Sequence, residues 1–254
     1  MRHDTVRMDG LITAAGLGTR SMASKYYRKE IFSVYDERDG QMVIRPMLDA
    51  VIYRMKYAGI DNIYVVLDHE DGVTKKFIEE SYPDLHIIEQ RERRGYGYAV
   101  YLARDHMDSP FVLNAGDGML LDPDVENTIV HSFKGGNLLV AFQVDDPRKY
   151  GVLEMSGDKV VGVREKPEKP PSNLALAAFY VLDPSIFDHI DIDRKESELT
   201  PAIDATIKAG VKTEARMIRK DEWISVGQVS SYVDVVNRTY SFARERAKTG
   251  DFKK

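Results

Sequence analysis

Residues 11–36 read LITAAGLGTRSMASKYYRKEIFSVYD, and they hold the most informative pattern in the chain. The apolar run Leu11–Ala15 predicts a buried strand that leads directly into a glycine turn at Gly16–Gly18. Arg20 follows this turn, and Lys29 comes later. Backbone amides without side chains can approach phosphate oxygens, and a guanidinium and an ammonium group can neutralise them. The stretch therefore predicts a strand followed by a phosphate-binding turn.

Two widespread nucleotide-binding motifs do not match this glycine turn. The dinucleotide motif G-x-G-x-x-G is excluded because Ser21 occupies the place of its third glycine. The P-loop pattern is excluded because no Gly-Lys-Ser or Gly-Lys-Thr follows the turn. The pattern that the stretch does contain is A-A-G-x-G-T-R, followed further along by Lys29 and Asp36.

Size and composition limit the possible functions. The 254 residues can bury a full core, as one large α/β domain or two small ones. With 36 basic and 41 acidic residues the net charge is -5, which argues against nucleic acid as a partner. The lack of cysteine excludes disulfides, thiolate metal sites and a cysteine nucleophile. The N-terminal residues have no apolar core and no run suits a membrane span, so we expect no signal peptide, no membrane partner and a cytoplasmic location.

Strand-like and helix-like segments alternate in the first half of the chain. The predicted strands lie at 10–14, 62–67, 85–89 and 110–114. The predicted helices lie at 44–57, 71–81, 95–105 and 124–132. This alternation predicts an α/β fold with a mostly parallel, Rossmann-like sheet, whose ligands bind beyond the carboxyl ends of the strands.

The second half is richer in strands. Its predicted strands lie at 137–143, 151–155, 159–164 and 174–182, and a final amphipathic helix covers 230–248. We interpret the chain as a single domain, 1–254. Within it we expect a mostly parallel half at about 10–136, a β-rich half at about 137–227 and a C-terminal helix at about 228–254.

Several motifs, in order along the chain, resemble those of the sugar-1-phosphate nucleotidylyltransferases. The similarity is strongest to UDP-glucose pyrophosphorylases and glucose-1-phosphate thymidylyltransferases. The motifs that carry it, after AAGLGTR, are EQRERRGYGYAV (89–100), PFVLNAGDGMLL (110–121), YGVLE (150–154), VREKP (163–167) and PSNLA (171–175). Together they cover about residues 10–230.

This resemblance implies an Mg²⁺-dependent transfer of a nucleotidyl group from UTP or dTTP to a hexose 1-phosphate, with release of pyrophosphate. Relatives often form homo-oligomers. The catalytic residues that it implies are Arg20, Lys29 and Asp117, with Asp117 as the metal ligand. The nucleotide-binding residues that it implies are Ala15, Gly16, Leu17, Gly18, Thr19, Gln90 and Gly95. The sugar-phosphate-binding residues that it implies are Gly151, Glu165, Lys166 and Asn173.

The residue types suit these roles. The Gln90 amide can both donate and accept, as the imide edge of uracil or thymine requires, and Gly95 would let the backbone approach the base. Asp117 follows a buried strand between two glycines, as a ligand for a hard cation does, although an aspartate there can instead cap the following turn. Glu165 can accept hydrogen bonds from sugar hydroxyls, and Lys166 can bind a phosphate.

Some residues depart from the family pattern. Arg28 stands at the place of a proline, Ala178 at that of a glycine beside the sugar, and Ser225 at that of a second magnesium-binding aspartate. The last change leaves open a catalytically impaired homologue that binds nucleotide or nucleotide sugar in a regulatory role. A transferase of the same fold that acts on a non-sugar phosphate is a further alternative. The left-handed β-helix that some relatives append is not expected here.

Overall fold

The computed structural model describes residues 8–16, 28–227 and 229–249, which build a nine-stranded mixed sheet with helices on both faces. The strands are β1 (Asp9–Ala14), β2 (Ser33–Arg38), β3 (Gln41–Pro46), β4 (Ile63–Asp68), β5 (His86–Gln90), β6 (Phe111–Ala115), β7 (Gly118–Leu120), β8 (Asn137–Gln143), β9 (Gly151–Ser156), β10 (Lys159–Glu165), β11 (Leu174–Leu182), β12 (Thr213–Ile218) and β13 (Trp223–Ser225). The helices are α1 (Met47–Tyr57), α2 (Gly72–Ser81), α3 (Tyr96–Tyr101), α4 (Pro123–His131), α5 (Leu199–Lys208) and α6 (Val229–Thr249).

The first half of the chain forms a parallel group of strands. β1 lies between β4 and β6 and is parallel to both, and β5 continues the group beyond β4. The middle of β1 is apolar, as expected for a strand covered by helices on both faces, and Leu11 and Ile12 are fully buried. The carboxyl ends of the four strands therefore lie side by side at one edge of the sheet.

The second half of the chain extends the same sheet. β11 is antiparallel to β6, β8 and β9, so it joins the later strands to the parallel group. β10 pairs with β9 at one margin, and β12 runs parallel to β8. The prediction of an α/β fold with a mostly parallel central sheet is confirmed.

Two apolar clusters fill the space between the sheet and the helices. Alternate residues of β1 face opposite sides, so Ile12 packs with α1 and α4, whereas Leu11 packs with α3 and α5. Each cluster consists of buried Val, Ile, Leu, Met, Ala and aromatic side chains. Burial on both sides fixes the strand register, and with it the position of the residues that follow each strand.

A hairpin was missed in the sequence. The predicted helix at 44–57 begins only at Met47, because β2 and β3 form an antiparallel pair just before it. Asp39 and Gly40 join these strands with φ angles of 50° and 84°, the left-handed conformation of a tight Asp-Gly turn. Pro46 also disfavours helix in the residue before it. The D-G pair was a usable signal for this hairpin.

Helix α6 packs on the hairpin, where the rings of Tyr35 and Tyr240 meet edge to face with centroids 5.1 Å apart. Helix α5 and strands β7, β12 and β13 were also absent from the predicted elements. Among the described residues no helix is both long and apolar enough to cross a membrane.

Candidate active site

The site lies where the parallel strands end. Strand pairing places Thr13 beside Ala115 and Asp68 beside Gln90, so residues that follow β1, β4, β5 and β6 converge. Ala15 and Gly16 come directly after β1. Leu17, Gly18, Thr19 and Arg20, which were predicted to complete the phosphate-binding turn, lie outside the described residues.

Lys29 and Asp117 meet at this edge. The Lys29 Nζ donates to the Asp117 Oδ2, and each of the two side chains is 17% exposed. A Cβ added to Gly16 would lie 3.9 Å from the Lys29 Cε, so Lys29 also borders the first residue of the glycine turn. The structure thus brings together two predicted catalytic residues that are far apart in sequence.

Glu30 supplies a second carboxyl group that the sequence analysis did not select. It is only 2% exposed, and its Oε2 has no hydrogen-bond partner among the described residues. Burial raises the pKa of Glu30 to about 8; the Lys29 charge opposes this, whereas Asp117 and Asp71 add to it. Glu30 is therefore mostly protonated at neutral pH. The available signal was its place directly after Lys29, a predicted catalytic residue.

Ser225 lies next to Asp117 on a separate two-stranded ribbon. β13 is antiparallel to β7, with Ser225 opposite Gly118, and the Val226 amide donates to the Asp117 carbonyl at 2.8 Å. A Cβ on Gly118 would come within 2.7 Å of the Trp223 ring and 3.1 Å of the Ser225 Cβ, so only glycine fits. The position at which the family pattern has its second metal-binding aspartate thus borders Asp117.

Gln90 and Gly95 flank the loop between β5 and α3. The Gln90 side chain is buried; its Nε2 donates to the Glu92 carbonyl at 2.9 Å, while its Oε1 has no donor among the described residues. Gly95 has φ of 92°, and a Cβ there would lie 2.4 Å from the Ser197 carbonyl oxygen. Close contact with the segment before α5 is thus a second reason for glycine at this position.

The predicted sugar-phosphate residues gather at the start of β9 and the end of β10. The Lys166 Nζ lies 2.8 Å from one Glu165 oxygen and 3.6 Å from Glu198, and the Thr200 hydroxyl donates to the other Glu165 oxygen at 2.6 Å. A Cβ on Gly151 would approach the Thr200 hydroxyl to 3.0 Å. Asn173 stands before β11 and is exposed, and its carbonyl oxygen accepts from the Val144 amide at 3.0 Å.

Two tyrosines near the site, the partly buried Tyr96 and the buried Tyr180, have raised pKa values. Burial raises the pKa of Tyr96, with the neighbouring Thr13 hydroxyl opposing the shift and the Asp117 charge adding to it. Burial likewise raises the pKa of Tyr180, and Tyr96 and Glu165 add to that shift. Neither tyrosine was among the predicted site residues.

The chain is similar to proteins of one known family. The model of the family described as nucleotidyl transferase matches residues 9–241. The chain belongs to the nucleotidyl transferase family. The resemblance inferred from the motifs is thereby confirmed, and both the glycine turn and the Glu165–Lys166 group lie within the matched range.

Individual members of the nucleotidyl transferase family differ in how much of their length the chain matches. It is 30% identical to the bifunctional protein GlmU of Methanococcus aeolicus over 79% of its own length, but spans only 47% of that protein. It is 28% identical to UTP–glucose-1-phosphate uridylyltransferase AglF of Haloferax volcanii, with 85% and 89% of the two chains covered. A solved Bacillus anthracis structure, named as a glucose-1-phosphate thymidylyltransferase in complex with sucrose, matches with a TM-score of 0.77 at 25% identity, covering 94% and 96%.

Proposed function

We propose that this chain transfers a nucleotidyl group from a nucleoside triphosphate to a hexose 1-phosphate, forming a nucleoside-diphosphate sugar and pyrophosphate. The observation that carries the proposal is the Lys29–Asp117 pair beside Gly16 at the carboxyl edge of the parallel strands, together with the Glu165–Lys166 group at the end of β10. The names of AglF and of the Bacillus anthracis protein both describe a nucleotidyl transfer to glucose 1-phosphate. This agreement supports the same reaction class here.

In this reaction an oxygen of the sugar phosphate attacks the α-phosphorus. The bond from that phosphorus to the bridging oxygen breaks, and pyrophosphate leaves. Negative charge accumulates at the phosphates, so the site needs cations and amide donors rather than a nucleophilic side chain. We assign Lys29 to the α-phosphate, Lys166 to the sugar's phosphate and Glu165 to the sugar hydroxyls. Arg20, outside the described residues, is assigned to the outgoing phosphates.

Magnesium suits the donors around Asp117. The described residues contain no group of three or more histidine or carboxylate ligands, as a metal cage would need. Mg²⁺ commonly binds one or two carboxylates together with substrate phosphates and water. We propose that Asp117 holds Mg²⁺ in this way, and the ion would neutralise charge on the triphosphate. Glu30, protonated at neutral pH, is the weaker ligand.

The base preference is testable with a panel of triphosphates. Because the Gln90 Oε1 is buried without a donor among the described residues, it suits the imide N–H of uracil or thymine. A purine is larger and presents a different pattern of donors and acceptors to this fixed amide. We expect kcat/KM for UTP or dTTP to exceed that for ATP or GTP by about 10²-fold or more. The assay is pyrophosphate release with hexose 1-phosphates. Gln90→Met should reduce the preference, and the surface control Gln41→Met should keep it. Preference of the wild type for ATP or GTP would refute the base assignment.

Ser225 provides a test of the metal site. Since it lies opposite Gly118 and beside Asp117, Ser225→Asp should add the second carboxylate and lower the magnesium concentration for half-maximal rate by about tenfold, or about 1.4 kcal/mol. Ser225→Asn is the uncharged control and should not have this effect. An Asp variant with unchanged magnesium demand and rate would contradict the missing-ligand argument. A wild type without turnover that Ser225→Asp rescues would favour the regulatory homologue.

The proposal also includes the division of the chain into two halves. We propose the region at about 10–136 as the nucleotide-binding half and that at about 137–227 as the sugar-binding half, followed by the C-terminal segment that contains α6. The cytoplasmic location and a homo-oligomeric state stay predictions.

A further inference from the structure

We propose that Arg28 is a positioning residue that holds Gly16, the first residue of the glycine turn, in place for the triphosphate. The inference rests on the proposed function, but it concerns a residue for which the resembling motifs imply no role. Arg28 occupies the place of a proline in the family pattern. A cation buried at that point needs a physical reason, because an unpaired charge in the interior is strongly unfavourable.

The Arg28 guanidinium bridges the turn and the neighbouring strand. The side chain is 1% exposed, and its Nη1 donates to the Gly16 carbonyl at 3.4 Å. Its Nη2 lies 3.6 Å from the Asp68 Oδ1, at the end of β4, and its Nε lies 3.8 Å from the Asp71 Oδ2, at the start of α2. The carbonyl at the beginning of the turn is thus tied to the edge of the sheet beside Gln90.

Gly16 is contacted on two sides by consecutive residues. Arg28 is extended, with φ of -76° and ψ of 152°, and the short 3₁₀ helix begins at Lys29. The guanidinium meets the Gly16 carbonyl, while the aliphatic part of Lys29 passes 3.9 Å from the place of a Gly16 Cβ. A shift of Arg28 would therefore disturb both the turn and the lysine assigned to the α-phosphate.

The hydrogen bonds of Arg28 differ from those of a purely structural buried arginine. Among the described residues its Nε and Nη2 have no acceptor and the Asp71 Oδ2 has no donor, so both carboxylates act on it through charge alone. Its hydrogen bond to a described residue goes to the Gly16 carbonyl. By contrast, the guanidinium of buried Arg54 has an acceptor for every nitrogen. The carboxylates orient Arg28, and the turn receives the hydrogen bond.

The test combines triphosphate affinity with kinetics for variants at Arg28. Arg28→Met should raise the Kd of UTP and dTTP, measured by calorimetry with excess Mg²⁺, by about tenfold. KM for the triphosphate should rise to the same extent, with kcat within about threefold and KM for the hexose 1-phosphate unchanged. Arg28→Lys, which keeps the charge but loses the fork, should lie between Arg28→Met and the wild type.

Arg28→Pro is the most informative variant, because it removes the guanidinium at a backbone φ that suits proline. The family pattern also has proline at this position. It should weaken triphosphate binding as Arg28→Met does. Asp71→Asn keeps an N-cap side chain for α2 while removing the charge, and should give a smaller loss. Arg104→Met, on the surface, is the control. If Arg28→Pro and Asp71→Asn both have the wild-type Kd for the triphosphate, Arg28 does not position the turn.

Amide hydrogen exchange tests the role of Arg28 independently of the proposed enzymatic activity. Exchange at the amides around Gly16 should be faster in Arg28→Met than in the wild type, with exchange around Ser225 unchanged, whether or not the enzyme turns over. Unchanged exchange at the turn would overturn the inference. Absence of pyrophosphate release from the wild type with every substrate pair would instead overturn the proposed function.

Discussion

Lys29→Ala is expected to lower kcat by about 10²–10³, or roughly 3–4 kcal/mol, while the fold stays intact. The physical reason is the loss of a cation beside the glycine turn, where charge develops on the α-phosphate in the proposed reaction. The ion pair with Asp117 shows that the ammonium group already lies next to a concentrated negative charge. Arg20→Ala should show a loss of similar size.

The measurement is pyrophosphate release at saturating substrates and saturating Mg²⁺, since removal of Lys29 also changes the surroundings of Asp117. Circular dichroism and the thermal midpoint verify that the variant is folded. Lys76→Ala is the control, because that side chain is 73% exposed on α2, and it should keep the wild-type rate. If Lys29→Ala and Arg20→Ala each keep more than about half of the wild-type rate, the phosphate-binding assignment is wrong.

Arg54→Met is expected to lower the free energy of unfolding by about 3–5 kcal/mol, the largest stability effect that we predict. Arg54 is fully buried in α1 and pairs with both Asp36 oxygens at 3.1 Å. Its remaining N–H groups donate to the carbonyls of Ala50, Leu120 and Leu121. Removing the guanidinium leaves Asp36 with only Arg38 as its charged partner among the described residues and takes one hydrogen bond from each of the three carbonyls.

The charge of Arg54 lowers the pKa values of two carboxyl groups, Asp36 and Glu126. Burial raises the pKa of Asp36, but Arg54 and Arg38 outweigh it and leave that pKa below its usual value. Burial raises the pKa of Glu126 to about 8, with Arg54 opposing the shift. Without Arg54 the Asp36 charge loses its bidentate partner, so the native state is destabilised at neutral pH.

Urea unfolding followed by fluorescence and circular dichroism gives the free energy for each variant. Arg54→Lys keeps the charge but not the fork, so its loss should be smaller than that of Arg54→Met. Arg104→Met removes an arginine whose ion pair with Asp188 is at the surface, and should cost less than about 1 kcal/mol. An Arg54→Met variant within about 1 kcal/mol of the wild type would show that this buried network contributes little.

Much of the fold and part of the candidate site followed from local patterns. The apolar run before Gly16 predicted β1, and the alternation of apolar and polar segments predicted the parallel group, because periodicity and turn residues act over a few positions. The same patterns placed Gly16, Gln90 and Asp117 after strand ends, where the carboxyl edge of a parallel sheet gathers them. Motif order then indicated the family, which the comparison over residues 9–241 confirmed.

Other features depended on contacts between distant parts of the chain. Ser225 lies beside Asp117 only because β13 pairs with β7, and Arg28 reaches Asp68 and Asp71 only because the sheet brings β1 and β4 together. The protonated state of Glu30 follows from desolvation, which no local pattern of residues encodes. Short-range patterns therefore specify which residues follow each strand, whereas long-range packing sets their partners, their burial and hence their charge.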